Sequence, residues 1–112
     1  MKKYLLYALK GEEMCFIHVL LNALDLKDAG NEVKIIFEGA SVKLPAVFEE
    51  KEQALYLKAK EQGLIAGVCE ACAKTLGSYD DVKKTGLPFL NDMNGHAGMR
   101  PFIEKGYTII TF

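Results

Sequence analysis

The sequence predicts an α/β fold in which a mostly parallel, five-stranded sheet carries helices on both faces. The chain has 112 residues, which suits one domain, and its 50% hydrophobic and 26% charged residues are typical of a globular protein. Short apolar runs alternate with helical segments along the whole chain. Because parallel strands need a crossover between them, this alternation favours a parallel sheet.

The chain begins with a strand over residues 3–9, a continuous apolar run that indicates a strand covered on both faces. A helix follows over residues 13–29, with acidic residues at its positive end, and Gly30 stops it. Its apolar residues cover well over half of its circumference. A helix with one face in solvent has a narrower apolar stripe. We therefore predict that a second copy of the chain packs on this helix. A cover of loops is the alternative.

The middle of the chain contains the second and third strands, over residues 32–38 and 64–68. The helical region between them can start at Ser41 or at Pro45 and continues toward Gly63. The pattern does not distinguish one kinked helix from two short ones.

The remaining elements are short. Helical turns are predicted over residues 70–76, 79–85 and 100–105, and strands over residues 87–90 and 107–112. A polar, glycine-rich loop over residues 91–98 follows the fourth strand.

Charge and hydropathy exclude several functions. The net charge is −1, the lysines are scattered and Arg100 is the single arginine, which argues against binding of nucleic acid. The first apolar run ends at Leu9 and is too short for a signal peptide or a membrane span, so a cytoplasmic location is expected.

Three cysteines in a reducing compartment are more often catalytic, metal-binding or inert than disulfide-bonded.

Cys69 lies where the third strand passes into the helix over residues 70–76. At such a junction a thiol meets free backbone N–H groups and the positive end of the helix dipole, and both favour the thiolate. Cys72 lies one turn further along the same face. These positions indicate a reactive-thiol site.

The motif Cys69-x-Ala71-x-Ala73-x-x-x-Gly77 after an apolar strand resembles the cysteine segment of the DsrE/DsrF-like family, which includes TusD-like sulfur relay proteins. The resemblance implies a single DsrE-like domain over residues 1–112, with an α/β/α sandwich and strand order 4-3-2-1-5. It implies a sulfur carrier or sulfurtransferase that holds a persulfide on Cys69. It also implies sulfur donors and acceptors, either proteins or small thiols, and homo-oligomers (trimers or hexamers). Periodicity alone fits a flavodoxin-like strand order equally well.

In the strand order of that family, Glu38 and His96 follow the two strands that flank the third one, which makes them the nearest neighbours of Cys69. His96 can hold a proton for Cys69 or hydrogen-bond a persulfide. An exposed loop histidine is the alternative. The predicted catalytic residues are thus Cys69, His96 and Cys72, and no cofactor is required. Tyr7 is expected to pack on the sheet.

Other uses of the cysteines stay open. Cys69 and Cys72 form a C-x-x-C pair that can close a redox disulfide, although Cys72 departs from the family pattern. Cys15 and His18, spaced i and i+3 on the first helix, can complete a Cys₃His zinc site with Cys69 and Cys72. All three cysteines can also be inert in a structural or partner-binding domain.

Overall fold

The computed structural model describes residues 1–112 and contains five strands and six α-helices in the predicted alternation. In chain order, the elements are β1 (Lys3–Ala8), α1 (Glu13–Asp28), β2 (Glu32–Phe37), a 3₁₀ helix (Gly39–Lys43), α2 (Leu44–Glu50), α3 (Ala54–Glu61), β3 (Ile65–Cys69), α4 (Glu70–Thr75), α5 (Tyr79–Thr85), β4 (Phe89–Leu90), α6 (Arg100–Glu104) and β5 (Thr108–Thr111).

All five strands are parallel and lie in the order β4-β3-β2-β1-β5. The predicted fold class and strand order are confirmed, and a flavodoxin-like order is excluded. From β1 to β4 the chain steps in one direction across the sheet, and from β4 to β5 it returns. Because crossovers are right-handed, α1 to α5 lie on one face and α6 lies on the other. The result is a three-layer α/β/α sandwich.

The helical region between β2 and β3 is divided in two. Glu52 adopts a left-handed conformation with φ of 52°, which ends the turn after α2. The side chain of Gln53 then accepts a hydrogen bond from the Tyr56 N–H at 2.8 Å and caps the start of α3. No glycine or proline marks this break, which explains why the sequence pattern left it open.

Phe37 fixes the side of the sheet on which the helices pack. Its ring is fully buried and stacks on Phe16 of α1, with 4.4 Å between centroids, and it meets the edge of Tyr56 of α3. Side chains alternate between the two faces of a strand, so the next residue, Glu38, points to the opposite face. Tyr7 pairs with Ile36 in the ladder and therefore shares that opposite face. This alternation places the polar residues away from the aromatic core.

Helix α1 is only partly covered within one chain. Five of its apolar residues are buried, whereas Met14 and Leu21 are 76% and 45% exposed. The packing of a second copy on this surface stays a prediction. Light scattering tests it, and a monomer in solution would refute it. None of the helices is long and apolar enough to cross a membrane.

Candidate functional site: a cysteine, histidine and glutamate cluster

Four reactive side chains meet at the carboxyl ends of the central strands. Glu38 directly follows β2, Cys69 ends β3, Cys72 lies on α4, and His96 lies on the loop after β4. One ligand atom from each side chain lies within 4.8 Å of the other three. Sites in open parallel sheets form at this end, because the loops that follow neighbouring strands converge there.

Cys69 is the most buried member of the cluster, with no exposed surface. Its Sγ lies 3.3 Å from His96 Nδ1 and accepts a hydrogen bond from the backbone N–H of Cys72 at 3.4 Å. This second contact caps the start of α4. The structure thus brings together the predicted catalytic residues Cys69, Cys72 and His96.

Cys72 is half-buried and donates a hydrogen bond from its thiol to Glu38 Oε1 at 2.8 Å. Its Sγ also lies 3.5 Å from His96 Nδ1. Burial raises the pKa of Cys72, the hydrogen bond to the Glu38 carboxylate raises it further, and the value reaches about 12. Cys72 is therefore a thiol at neutral pH.

Glu38 is a buried carboxylate at the centre of the cluster, 6% exposed. Burial raises the pKa of Glu38, but hydrogen bonds from Cys72 and Cys69, from the Gly39 N–H and from Tyr7 outweigh it, so the net shift is downward. Glu38 is consequently ionised at neutral pH.

Tyr7 has a role that the sequence did not reveal. Its hydroxyl lies 2.7 Å from the Ala97 carbonyl oxygen and 3.0 Å from Glu38 Oε2, and it links the carboxylate to the loop that carries His96. Burial raises the pKa of Tyr7, and the negative charge of Glu38 raises it further, so the hydroxyl keeps its proton. The available signal was that a buried tyrosine hydroxyl usually has a hydrogen-bond partner.

The loop after β4 covers the cluster. Its Gly95 carbonyl oxygen accepts a hydrogen bond from the Ala71 N–H at 2.9 Å, which holds the loop against α4. A surface cavity of about 420 Å³ is lined by residues 92–94 and 98–101, and none of the three surface cavities is lined by Cys69 or Cys72. The side chain of His96 is 42% exposed, so the cluster is approached from the side of His96.

The structure does not group Cys15 and His18 with the two other cysteines of the predicted zinc set. The group of metal-ligating side chains that the structure brings together contains Glu38 and His96 in their place. Cys15 and His18 both lie on α1, and His18 is exposed to solvent. In addition, β1, the strand that leads into α1, is separated from β3 by β2.

Alkylation tests the state of Cys72. At about pH 8, we expect iodoacetamide to modify Cys72 slowly in the folded, reduced protein, because only the thiolate reacts. Glu38→Gln removes a negative charge and a strong acceptor, which lowers the pKa of Cys72 and raises the rate at least about tenfold. Peptide mass spectrometry over time measures the rate. The control is Glu70→Gln, which removes a carboxylate on α4 that pairs with Lys74 and not with Cys72. This variant should leave the alkylation rate of Cys72 unchanged. Equal rates in Glu38→Gln and the parent protein would contradict the assignment.

Comparisons with known proteins place the chain in a family and a fold. No protein-family model matches it. A conserved protein of unknown function from Bacteroides thetaiotaomicron has a similar structure, with a TM-score of 0.67 over 96% of this chain and 94% of the other at 22% identity, which shows a shared fold. An uncharacterized protein from Archaeoglobus fulgidus is 33% identical over 49 residues, which cover 44% of this chain and 80% of that protein. An uncharacterized protein from Methanocaldococcus jannaschii is 35% identical over 97 residues, which cover 84% of this chain and 77% of that protein. The chain therefore belongs to the family of this Methanocaldococcus jannaschii protein.

Proposed function

We propose that the protein is a sulfur carrier that holds a persulfide on Cys69 and passes the outer sulfur to an acceptor thiol. The supporting observation is the placement of Cys69 Sγ, 3.3 Å from an imidazole nitrogen and within hydrogen-bond distance of a backbone N–H. A nucleophilic cysteine needs a nearby base and a donor that stabilises its anion, and both are present here. The resemblance to the DsrE-like family adds to this argument.

The transfer is an exchange of one sulfur–sulfur bond for another. The Cys69 thiol gives its proton to His96 Nδ1, and the thiolate attacks the outer sulfur of a donor persulfide, R–S–SH. A bond forms between Cys69 Sγ and that sulfur, the S–S bond of the donor breaks, and RS⁻ leaves. An acceptor thiolate removes the outer sulfur from Cys69 in the same manner. No external oxidant or reductant is consumed.

The state of Cys72 decides whether a persulfide on Cys69 survives. A Cys72 thiolate would attack Cys69 Sγ, release HS⁻ and leave a Cys69–Cys72 disulfide. Glu38 opposes this side reaction, because burial and the bond to its carboxylate raise the pKa of Cys72 to about 12. Glu38 therefore protects the persulfide on Cys69 by keeping the Cys72 thiol protonated.

Because Cys69 is buried, sulfur delivery requires movement of the loop that carries His96. Residues 91–94 of that loop are exposed, and one backbone hydrogen bond, from Ala71 to Gly95, joins it to α4. Donors and acceptors are then small thiols or cysteines on protein segments that reach the cluster from the side of His96.

Intact mass spectrometry of reduced, chelator-treated protein tests this function. After incubation with glutathione persulfide, we expect a species heavier by one sulfur atom that is lost on treatment with excess thiol. Cys69→Ser should abolish it, and Cys72→Ser should retain it for longer, since HS⁻ release is blocked. Cys15→Ser, which removes a half-buried cysteine outside the cluster, is the matched control and should behave like the parent protein. An equal adduct in Cys69→Ser, or none in the parent protein, would refute the proposal.

A further inference from the structure

Two thiols, an imidazole and a carboxylate lie together at the carboxyl end of β3, with their ligand atoms within 4.8 Å of one another. We infer that Cys69, Cys72, His96 and Glu38 form a tetrahedral binding site for one zinc(II) ion. This inference is independent of sulfur carriage, because it depends on the four donor atoms and not on the reactivity of either thiol.

Three of the six distances between the donors are close to the edges of a zinc tetrahedron, and all six are within 4.8 Å. With Zn–S near 2.3 Å and Zn–N and Zn–O near 2.1 Å, the ligand atoms of a regular site lie about 3.4–3.8 Å apart. His96 Nδ1 lies 3.3 Å from Cys69 Sγ, 3.5 Å from Cys72 Sγ and 3.6 Å from Glu38 Oε1. Cys72 Sγ and Glu38 Oε1 are 2.8 Å apart because the thiol donates a hydrogen bond to the carboxylate. Zinc binding would remove the thiol proton, and the two atoms would have to move apart by about 0.8 Å to reach the tetrahedral distance.

The donor types select the metal. Thiolate sulfur and imidazole nitrogen suit zinc, whereas magnesium and calcium require sites built almost entirely from oxygen. The site contributes four protein ligands, the number that closes a structural zinc site. Zn²⁺ also offsets the charges of two thiolates and one carboxylate, which repel one another at these distances.

Surrounding hydrogen bonds orient the ligands before any ion binds. Tyr7 contacts Glu38 Oε2 at 3.0 Å, and the Gly39 N–H donates to Oε1 at 3.2 Å, so the carboxylate is held with Oε1 toward the cluster. The Cys72 N–H does the same for Cys69 Sγ. Tyr7 also contacts the Ala97 carbonyl oxygen, next to His96. Partners of this kind fix ligand geometry in metal sites, and their removal typically weakens binding about 10–100-fold.

Zinc and sulfur compete for the same atoms. A zinc ion would occupy both Cys69 Sγ and Cys72 Sγ, so the loaded protein could not accept sulfur. Zinc would then act as an inhibitor of the proposed transfer, and chelation would restore it.

Titration of the reduced protein with Co²⁺, a spectroscopic substitute for zinc, tests the site. We expect one Co²⁺ per chain, with the intense visible bands of a tetrahedral ion, a thiolate-to-cobalt charge-transfer band in the near ultraviolet, and displacement by one equivalent of Zn²⁺. Cys69→Ser should weaken the charge-transfer band, and Glu38→Gln should weaken affinity. Tyr7→Phe keeps all four ligands and should raise the dissociation constant about tenfold.

The control is the double variant Cys15→Ser/His18→Ala, which removes the other cysteine and histidine and should bind Co²⁺ like the parent protein. Absence of a stoichiometric tetrahedral spectrum would overturn the inference, as would binding that survives Glu38→Gln and Cys69→Ser unchanged. Circular dichroism of each variant verifies that it is folded. Because this titration uses no persulfide and the sulfur assay uses no metal, either proposal can fail while the other stands.

Discussion

Phe37→Ala is expected to lower the free energy of unfolding by about 4 kcal/mol. The Phe37 ring has no exposed surface and lies between Phe16 of α1 and Tyr56 of α3. The substitution removes the buried apolar surface of an aromatic ring. It also leaves a cavity between the sheet and two helices that the surrounding side chains cannot fill completely. A domain of this size has only about 5–15 kcal/mol of stability, so the loss is large.

Urea denaturation of the reduced protein, followed by circular dichroism, measures this effect. Phe112→Ala is the matched control, because Phe112 is half-buried at the end of the chain, and it should cost about 1 kcal/mol. If the two variants were equally stable, the aromatic contact between α1, β2 and α3 would not be the centre of the core.

Gly67→Ala is expected to cost about 3 kcal/mol and to disturb the candidate site. A Cβ atom at Gly67 would lie 2.7 Å from the Pro88 carbonyl oxygen and 2.8 Å from Leu90 Cγ. Both distances are well inside van der Waals contact, and the carbonyl belongs to the backbone that leads into β4, so the strand itself must shift. His96 follows β4, and the shift should therefore also weaken Co²⁺ binding.

The control for this variant is Gly63→Ala. Gly63 has a φ of 73°, and a Cβ there meets nothing within 4 Å, so the exchange carries only the cost of a left-handed backbone, about 1 kcal/mol. Denaturation and cobalt titration of both variants separate the two effects. A Gly67→Ala protein as stable as Gly63→Ala would mean that β3 and β4 are not in close contact.

Most secondary structure could be predicted because its signals are local. Helix α5 was predicted over residues 79–85 and begins and ends there, since Gly86 takes the left-handed conformation that stops a helix. Strands β1 and β3 differ from their predicted bounds by one residue at one or both ends. The break between α2 and α3 has no such signal, because it depends on the conformation of Glu52.

The site was only partly predictable. The junction after the third strand indicated Cys69 and Cys72, and the glycine-rich loop indicated His96. The nearness of Glu38 followed from a strand order that the family resemblance supplied and periodicity did not. Tyr7 was assigned to packing, since nothing along the chain shows that its hydroxyl meets residues 31 and 90 positions away.

The sequence by itself determined an alternating α/β chain with a thiol at the junction of its third strand and the following helix, because apolar periodicity and turn residues act over a few positions. Only the tertiary structure decided which cysteines, histidines and carboxylates meet. The order of the strands and the face on which each side chain points are set by contacts between distant segments. Those contacts place Glu38 and His96 beside Cys69 and Cys72, whereas Cys15 and His18 lie outside this cluster.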